Sequence, residues 1–488
     1  MYFHRSDLLS RRAFLRRSSQ LAVTGAALPT ALNLAAIGEA AAFGATDYKA
    51  LICVYMGGGS DYANTVVTYD NASYDLYSAV REGGPERTAG GVALARDALT
   101  ATLLSPQNPL PAGRQYALHP KMTGMASLFH AGNAAVLLNV GPLVVPLTRR
   151  DFNSQNLALY PRPPRLLSHN DQSSIWLSSL PEGSTVGWGG GLADLAQESN
   201  TNAMFTCMSL SGNAVFLSGR DAFPLRLSTG GLSISTNLTG TTMYGSSTVK
   251  DAFTALMRQT SVHAFESEYT RVTARSLDAK AMIDQALASA PENAVPFSQF
   301  PVTGNAIAAQ LRAVARLIAA RDILGVKRQV FYVTAPGGYD LHDNLITQQS
   351  SNLDLLSASV TAFQGAMNQL GLADKVTLFT ASEFGRTLTS NGDGSDHGWG
   401  NHHFVMGGAV RGRNFYGRPP PVSITNSGAA EDQWHIGAGI LLPGISVDQM
   451  AATMALWFGV PAADLPLVMP NIVNFGRSDY PVNLGFLG

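Results

Sequence analysis

Phe331-Tyr332-Val333-Thr334 runs into Gly337-Gly338-Tyr339-Asp340-Leu341-His342-Asp343, and further on Val376 to Thr380 runs into Ser382-Glu383-Phe384-Gly385-Arg386-Thr387. Each is a short β-branched or aromatic run followed by a loop that carries carboxylates or imidazoles. Between them, Leu353 to Leu370 has helical spacing, with Leu355, Leu356, Val360, Phe363 and Met367 directed inward. Strand, helix, strand in that order reads as a crossover unit of a parallel sheet. A third polar stretch follows, Asp396-His397-Gly398-Trp399-Gly400-Asn401-His402-His403. In open α/β sheets, sites assemble beyond the carboxyl ends of the strands. Asp, Glu and His gathered there are the ligands of divalent metals, and clustered carboxylates are costly unless a cation neutralises them.

The flanking sequence repeats the pattern. Ala50-Leu51-Ile52-Cys53-Val54, within Tyr48 to Tyr55, is a continuous apolar run, as expected of a strand buried on both faces. It ends in Met56-Gly57-Gly58-Gly59-Ser60-Asp61, which delivers a carboxylate at the strand end. A helix over Lys121 to His130 precedes a strand over Ala134 to Asn139. Arg149 to Pro164 reads as loop, and a short helix opens after Gly187. Residues 203 to 247 are rich in Ser, Thr and Gly, with β-prone fragments such as Ala214-Val215-Phe216-Leu217. Ala252 to Ala290 reads as one or two surface helices, and 203–300 together as a small cap insertion. Asn305 to Ile323 is amphipathic, with Ile307, Leu311, Val314, Ala315 and Ile318 on one face. Ser446 with Gln449 forms a capping box for a helix to Phe458.

Composition limits the partners. Lys and Arg number 33 against 34 Asp and Glu, and only 14% of residues are charged, so nucleic acid is excluded as a main partner. A hydrophobic content of 45% supports a packed core. Cys53 and Cys207 read as two separate buried thiols. Ser10-Arg11-Arg12-Ala13-Phe14-Leu15, the apolar run Leu21 to Ala36 and the small residues after Glu39 resemble a twin-arginine export signal. That assigns 1–45 to the signal and 46–488 to one mature domain. It also implies the twin-arginine translocase as a partner during export, a periplasmic or secreted location, and a mature form with no stable membrane span.

The motifs together resemble the DUF1501 family: Gly57-Gly58-Gly59-x-Asp61, Ser168-His169 with Trp176, Gly187-Trp188, Gly338-Tyr339-Asp340-x-His342, Ser382 to Thr387, Asp396-His397-Gly398 and Trp457-Phe458-Gly459-Val460. The resemblance implies an alkaline phosphatase-like fold, α/β with three layers and a large, mostly parallel central sheet. It also implies one or two divalent metals, with zinc, calcium, magnesium or manganese all open, and an alcohol nucleophile. Carried over, Asp61, Asp340, His342 and His397 match metal ligands. Glu383 stands where the superfamily has Asp followed by His; Phe384 follows it here, which removes one imidazole. Ser168 matches the nucleophile.

Each residue also has a plainer reading. Glu383 is either a ligand or the partner of Arg386 in a loop ion pair; Arg386 alternatively grips an anionic substrate oxygen. Asp396 is a ligand or the group that orients His397. Ser168 is a nucleophile or a helix N-cap. At most one of His402 and His403 reaches the site, since neighbours on a strand face opposite ways; His119, His130, His263 and His435 are structural. The expected function is an exported metal-dependent hydrolase of phosphate or sulfate esters, acting on an anionic small-molecule or polymer ester. The alternative is a non-catalytic exported binding or assembly protein of the same fold.

Overall fold

The computed structural model describes residues 43–83, 91–212, 214–233, 240–259, 261–335 and 337–488. The export signal expected over 1–45 lies outside the described residues except for 43–45. The strands in chain order are β1 (Lys49–Tyr55), β2 (Val66–Thr68), β3 (Tyr116–Leu118), β4 (Ala134–Gly141), β5 (Cys207–Ser209), β6 (Leu225–Arg226), β7 (Arg328–Thr334), β8 (Val376–Ala381), β9 (Asn401–Met406), β10 (Phe415–Tyr416) and β11 (Ile445–Ser446). Nine of them form one sheet in the order β10-β4-β9-β8-β1-β7-β5-β6, with β11 beside β4. All pairings in it are parallel except those of β9, which runs against both β4 and β8. β2 and β3 form a separate antiparallel pair.

The continuous apolar runs follow from burial on both faces. Ala50, Ile52 and Val54 enter one core and Leu51, Cys53 and Tyr55 the other, as alternation along a strand requires. β7 divides likewise, Phe331 and Val333 on one side, Val330 and Tyr332 on the other. The first core is closed by the helices Thr123–His130, Ala306–Ala319 and Leu345–Gln369 and the end of Ala264–Ser289. The second is closed by His169–Ser178, Trp188–Ala196 and Val447–Phe458. The molecule is therefore a mixed α/β fold with a large, mostly parallel sheet between helices. The Val447–Phe458 helix starts in the expected capping box and ends at Gly459, whose φ of +114° suits glycine.

Some local expectations differ. Val215–Leu217 is a 3₁₀ turn, not a strand; Phe216 and Leu217 are buried under the sheet rather than within it. Arg149–Phe152 is a short helix, because Thr148 and Asp151 cap each other's backbone. Within 203–300, β5 and β6 extend the central sheet beyond β7, and two helices, Ser247–Leu256 and Ala264–Ser289, follow. No described helix is long and apolar enough to cross a membrane.

Topology positions the site. β7, β1 and β8 are adjacent and parallel, and Tyr55 stands level with both Thr334 and Ala381, so their three C-terminal loops leave from one edge. β9 is antiparallel, so the loop that precedes it, carrying Asp396 and His397, reaches the same edge. The glycine turn after β1 makes the approach close. A Cβ on Gly58, at φ +118°, would lie 2.3 Å from the backbone nitrogen of Asp340.

Candidate metal centre

Asp340 is the hub. Its Oδ1 lies 3.0 Å from His342 Nε2 and 3.1 Å from His397 Nε2, and its Oδ2 lies 3.3 Å from His169 Nε2. Ligand atoms of His169, Asp340 and His397 all fall within 4.8 Å of one another. His342 Nε2 is 3.1 Å from His397 Nε2. Asp340 is 42% exposed at its side chain, so the cluster is open to solvent.

Each imidazole is held from behind through Nδ1. His169 Nδ1 meets Glu383 Oε1 at 2.9 Å, His342 Nδ1 meets Asp396 Oδ1 at 3.0 Å, and His397 Nδ1 donates to the carbonyl of Leu167 at 2.8 Å. A carbonyl accepts only, so His397 carries its proton on Nδ1 and turns the Nε2 lone pair to the centre. A carboxylate behind an imidazole selects the same tautomer and raises its basicity. Glu383 itself is buried; its Oε1 also takes the N–H of Gly58 at 2.7 Å, and its Oε2 has no partner among the described residues.

Charge and protonation follow from these contacts. The hydrogen bond to Glu383 raises the His169 imidazole above its ordinary range, against the opposing effect of burial. Burial pushes the Asp340 carboxyl up, but the hydrogen bond and charge of Arg386 outweigh it and hold the group below the usual carboxylate range. Asp396 behaves alike: burial raises it, and hydrogen bonds from Asn391 and His342 bring it below that range. Arg386 is fully buried beneath Asp340. Its Nη1 donates to Asp340 Oδ1 at 2.5 Å and to Gly58 O at 3.2 Å, and its Nη2 to Ser395 O.

These residues fit a divalent cation. Two imidazole Nε2 atoms with outward-pinned Nδ1–H groups present lone pairs 3.1 Å apart, an arrangement that needs a proton or a cation between them. Three carboxylates (Asp340, Glu383, Asp396) against one guanidinium (Arg386) leave two negative charges, which one divalent ion balances. Imidazole nitrogens with a carboxylate oxygen suit zinc better than calcium or magnesium.

The sequence-derived candidates are redistributed. Asp340, His342 and His397 come together as expected. Glu383 and Asp396 stand behind imidazoles, and Arg386 pairs with Asp340 rather than with Glu383. Asp61 stands apart as an N-cap: its Oδ1 accepts from Asn64 N, and its Oδ2 from Arg81 Nη2 and Ser395 Oγ, all at 2.8 Å. Ser168 begins the His169–Ser178 helix, and its hydroxyl donates to Asp171 Oδ2 at 2.8 Å. The residue the fold delivers to the cluster is its neighbour, His169, which the sequence reading did not select. The signal was present: Ser168-His169 was singled out as a pair, and an imidazole at a helix start can be carried to a strand-end edge. His402 and His403 do face opposite ways, His402 against Tyr62 and Tyr116, His403 against Trp176. Burial pushes both down to about 3. His119, His130 and His435 accept backbone N–H groups.

Fold and site thus define a mixed α/β protein with an imidazole–carboxylate cluster at its strand-end edge. The chain belongs to the DUF1501 family, described as a protein of unknown function, whose model matches residues 48–437. No curated protein matches the sequence. Among solved structures, it is similar to Ps i-CgsB in complex with k-i-k-neocarrahexaose, at 10% identity over 87% of this chain and 77% of that one, with a TM-score of 0.30. It is also similar to a chain from work on how Bacteroides thetaiotaomicron metabolises multiple glycosaminoglycans, at 11% identity over 87% and 76%, with a TM-score of 0.28. Neither likeness bears on the chemistry of the site.

Proposed function

We propose that the protein is an exported metal-dependent hydrolase of phosphate or sulfate esters. The observation that carries this reading is the convergence of three imidazole Nε2 atoms on Asp340, each ring fixed through Nδ1. His169, His342, His397 and Asp340 would hold the cation. When bound, it supplies Lewis-acid polarisation of an ester oxygen and lowers the pKa of water. Glu383, Asp396 and the Leu167 carbonyl keep the rings in the ligating tautomer, and Arg386 fixes the Asp340 carboxylate from below. Ser168 is committed to Asp171, so the attacking oxygen in this reading comes from water. Export through the twin-arginine translocase follows from the Arg11-Arg12 signal and suits a protein folded around its metal before transport.

A second reading, a binding or assembly protein without turnover, draws on one observation. The two groups expected to act on substrate, Ser168 and Arg386, are both engaged by other residues. One experiment separates the readings. Protein recovered from the periplasmic fraction of its native host is analysed for metal, then assayed on an aryl phosphate and an aryl sulfate with and without chelator. The hydrolase reading expects about one divalent ion per chain, chelator-sensitive turnover, and loss of both in Asp340→Asn and His397→Ala. Metal without turnover on either ester class supports the binding protein. Absence of the protein from the periplasm removes the export half of the proposal.

A further inference from the structure

Away from the metal centre, apolar surface concentrates in one place. Of fifteen large apolar side chains exposed among the described residues, six fall between 249 and 272: Val249, Leu256, Val262, Phe265, Tyr269 and Val272. Five of them lie on the two consecutive helices Ser247–Leu256 and Ala264–Ser289, and Val262 lies in the connection between them. The second has 26 residues and so spans about 39 Å. Its seam repeats at alternating steps of four and three: Phe265, Tyr269, Val272, Ser276, Ala279, Ile283, Ala286. The C-terminal part of that seam, Ala279, Ile283 and Ala286, is buried in the protein's own core. The N-terminal part continues with the same period but with no cover among the described residues; Phe265 is 78% exposed and Tyr269 61%. An apolar repeat of 3.5 residues is the pattern by which one helix seats against another.

The charges beside the seam select the partner. Glu268 and Arg275 occupy the same flank, one heptad apart, directly before Tyr269 and Ser276. In an antiparallel pair of identical helices, positions on the same flank face each other. Centring the pair between Tyr269 and Val272 sets Tyr269 against Val272 of the second copy. It also sets Glu268 against Arg275 of the second copy, and Arg275 against its Glu268. A parallel pairing would instead bring Arg275 toward Lys280 on the opposite flank, a repulsive contact. Glu266 and Glu268 at the exposed end also oppose seating on an anionic membrane, where basic residues are wanted.

We propose that this helix pair is a homodimer interface, in which the Ala264–Ser289 helices of two copies pack antiparallel through Phe265, Tyr269 and Val272. The pairing is isologous, and the Glu268–Arg275 contact is made twice. Glu268 now pairs with Arg271 at 2.5 Å on the surface, an exposed contact that is readily exchanged.

The test is sedimentation equilibrium of the full chain over a range of concentrations, with charge variants. Wild type should be dimeric. Tyr269→Glu should be monomeric with unchanged thermal unfolding, since the side chain is exposed. Glu268→Arg alone and Arg275→Glu alone should each weaken the dimer roughly tenfold, as two exposed pairs become repulsive. The double variant Glu268→Arg/Arg275→Glu should restore the wild-type dimer, and an equal mixture of the two single variants should form heterodimers. A monomeric wild type at every concentration overturns the proposal. So does a dimer indifferent to Tyr269→Glu, or a double variant no tighter than the singles. A monomer that binds phosphatidylcholine/phosphatidylglycerol vesicles through Tyr269 assigns the patch to a lipid surface instead.

Discussion

Asp61 and Asp340 stand at the ends of neighbouring parallel strands, β1 and β7, each against a buried arginine, and both read from sequence as metal ligands. Their surroundings differ in what the neighbours bring. Asp61 receives an N–H from Asn64, an N–H from Arg81 and an O–H from Ser395; every donor carries its own proton, and the carboxylate is almost wholly buried. Asp340 receives protons from Arg386 and otherwise meets imidazole Nε2 atoms whose protons are held on the far nitrogen. The first site is closed without an ion, and the second has lone pairs left over. Ser395 joins them, its hydroxyl donating to Asp61 and its carbonyl accepting from Arg386. A carboxylate at a strand end is left open to a cation when its neighbours are acceptors, and is a closed structural anchor when they are donors.

The largest expected effect falls on the closed site. Asp61→Ala leaves Arg81 buried without its counter-charge, and loss of one partner of a buried pair costs about 3–5 kcal/mol. Denaturant unfolding of the variant should show that loss while metal content per folded chain stays at the wild-type value. If metal content falls with stability intact, Asp61 belongs to the open site and the contrast collapses.

A third carboxylate, Asp448, sharpens the comparison because it is buried with no cation beside it among the described residues. Burial pushes it up to about 7, and its Oδ1 has no partner among those residues. The unfolded chain releases this proton near ~4. Between those values the fold retains a proton that the unfolded chain has lost. The stability tied to the protonated group is therefore full below about pH 4 and lost as pH rises through 7. Asp448→Asn, which imitates the protonated form, should match wild type near pH 4 and exceed it by roughly 4 kcal/mol at pH 8. Equal unfolding curves at both pH values would show that Asp448 is ionised and paired in a way its contacts do not reveal.

A smaller effect is expected behind the imidazoles. Glu383→Gln keeps the size of the side chain but removes the charge that polarises His169, and changes at such orienting groups lower metal affinity roughly 10–100-fold. Asp396→Asn, on the solvent side of His342, should fall at the weak end of that range. Competition with a coloured chelator measures both. A Glu383→Gln protein with wild-type affinity would reduce Glu383 to a loop brace for Gly58.

Strand ends were legible in the sequence because burial on both faces writes itself as uninterrupted apolar runs, and the glycines after β1 and β7 mark where backbones must approach. Asp340, His342 and His397 were legible for the same reason, lying beside those strand ends. The exchange of roles was not. Nothing in Gly57-Gly58-Gly59-Ser60-Asp61 says that Arg81 will fold back onto Asp61, since the pairing is made between side chains that the spacing does not relate. Nor does Glu383-Phe384-Gly385-Arg386 say that Glu383 turns to His169 and Arg386 to Asp340. An arginine three residues from a glutamate is the nearer partner in sequence, and the strand-end edge supplied a nearer one in space. Val215–Leu217 failed in another way: β-branched and aromatic residues mark burial as readily as they mark a strand.

The smallest expected effect concerns Ser168, and it decides how the open site works. Its neighbour His169 is fixed by Glu383 on one nitrogen and faces Asp340 with the other, so the chain at this point is already positioned by the imidazole. The Ser168 hydroxyl points to Asp171 Oδ2 within the same helical turn and makes no capping bond to the backbone. A nucleophile must lie beside the cation that activates it, and a hydroxyl spent on Asp171 is spent locally. Ser168→Ala should therefore cost less than about 1 kcal/mol of stability, below the usual loss for a working helix cap. It should leave metal content unchanged and hold aryl ester turnover within about twofold of wild type, as expected when water supplies the attacking oxygen. Abolished turnover with full metal content would reverse the assignment. It would mean that Ser168 swings from Asp171 to the cluster on metal binding, and that the sequence reading of Ser168 as the nucleophile was right.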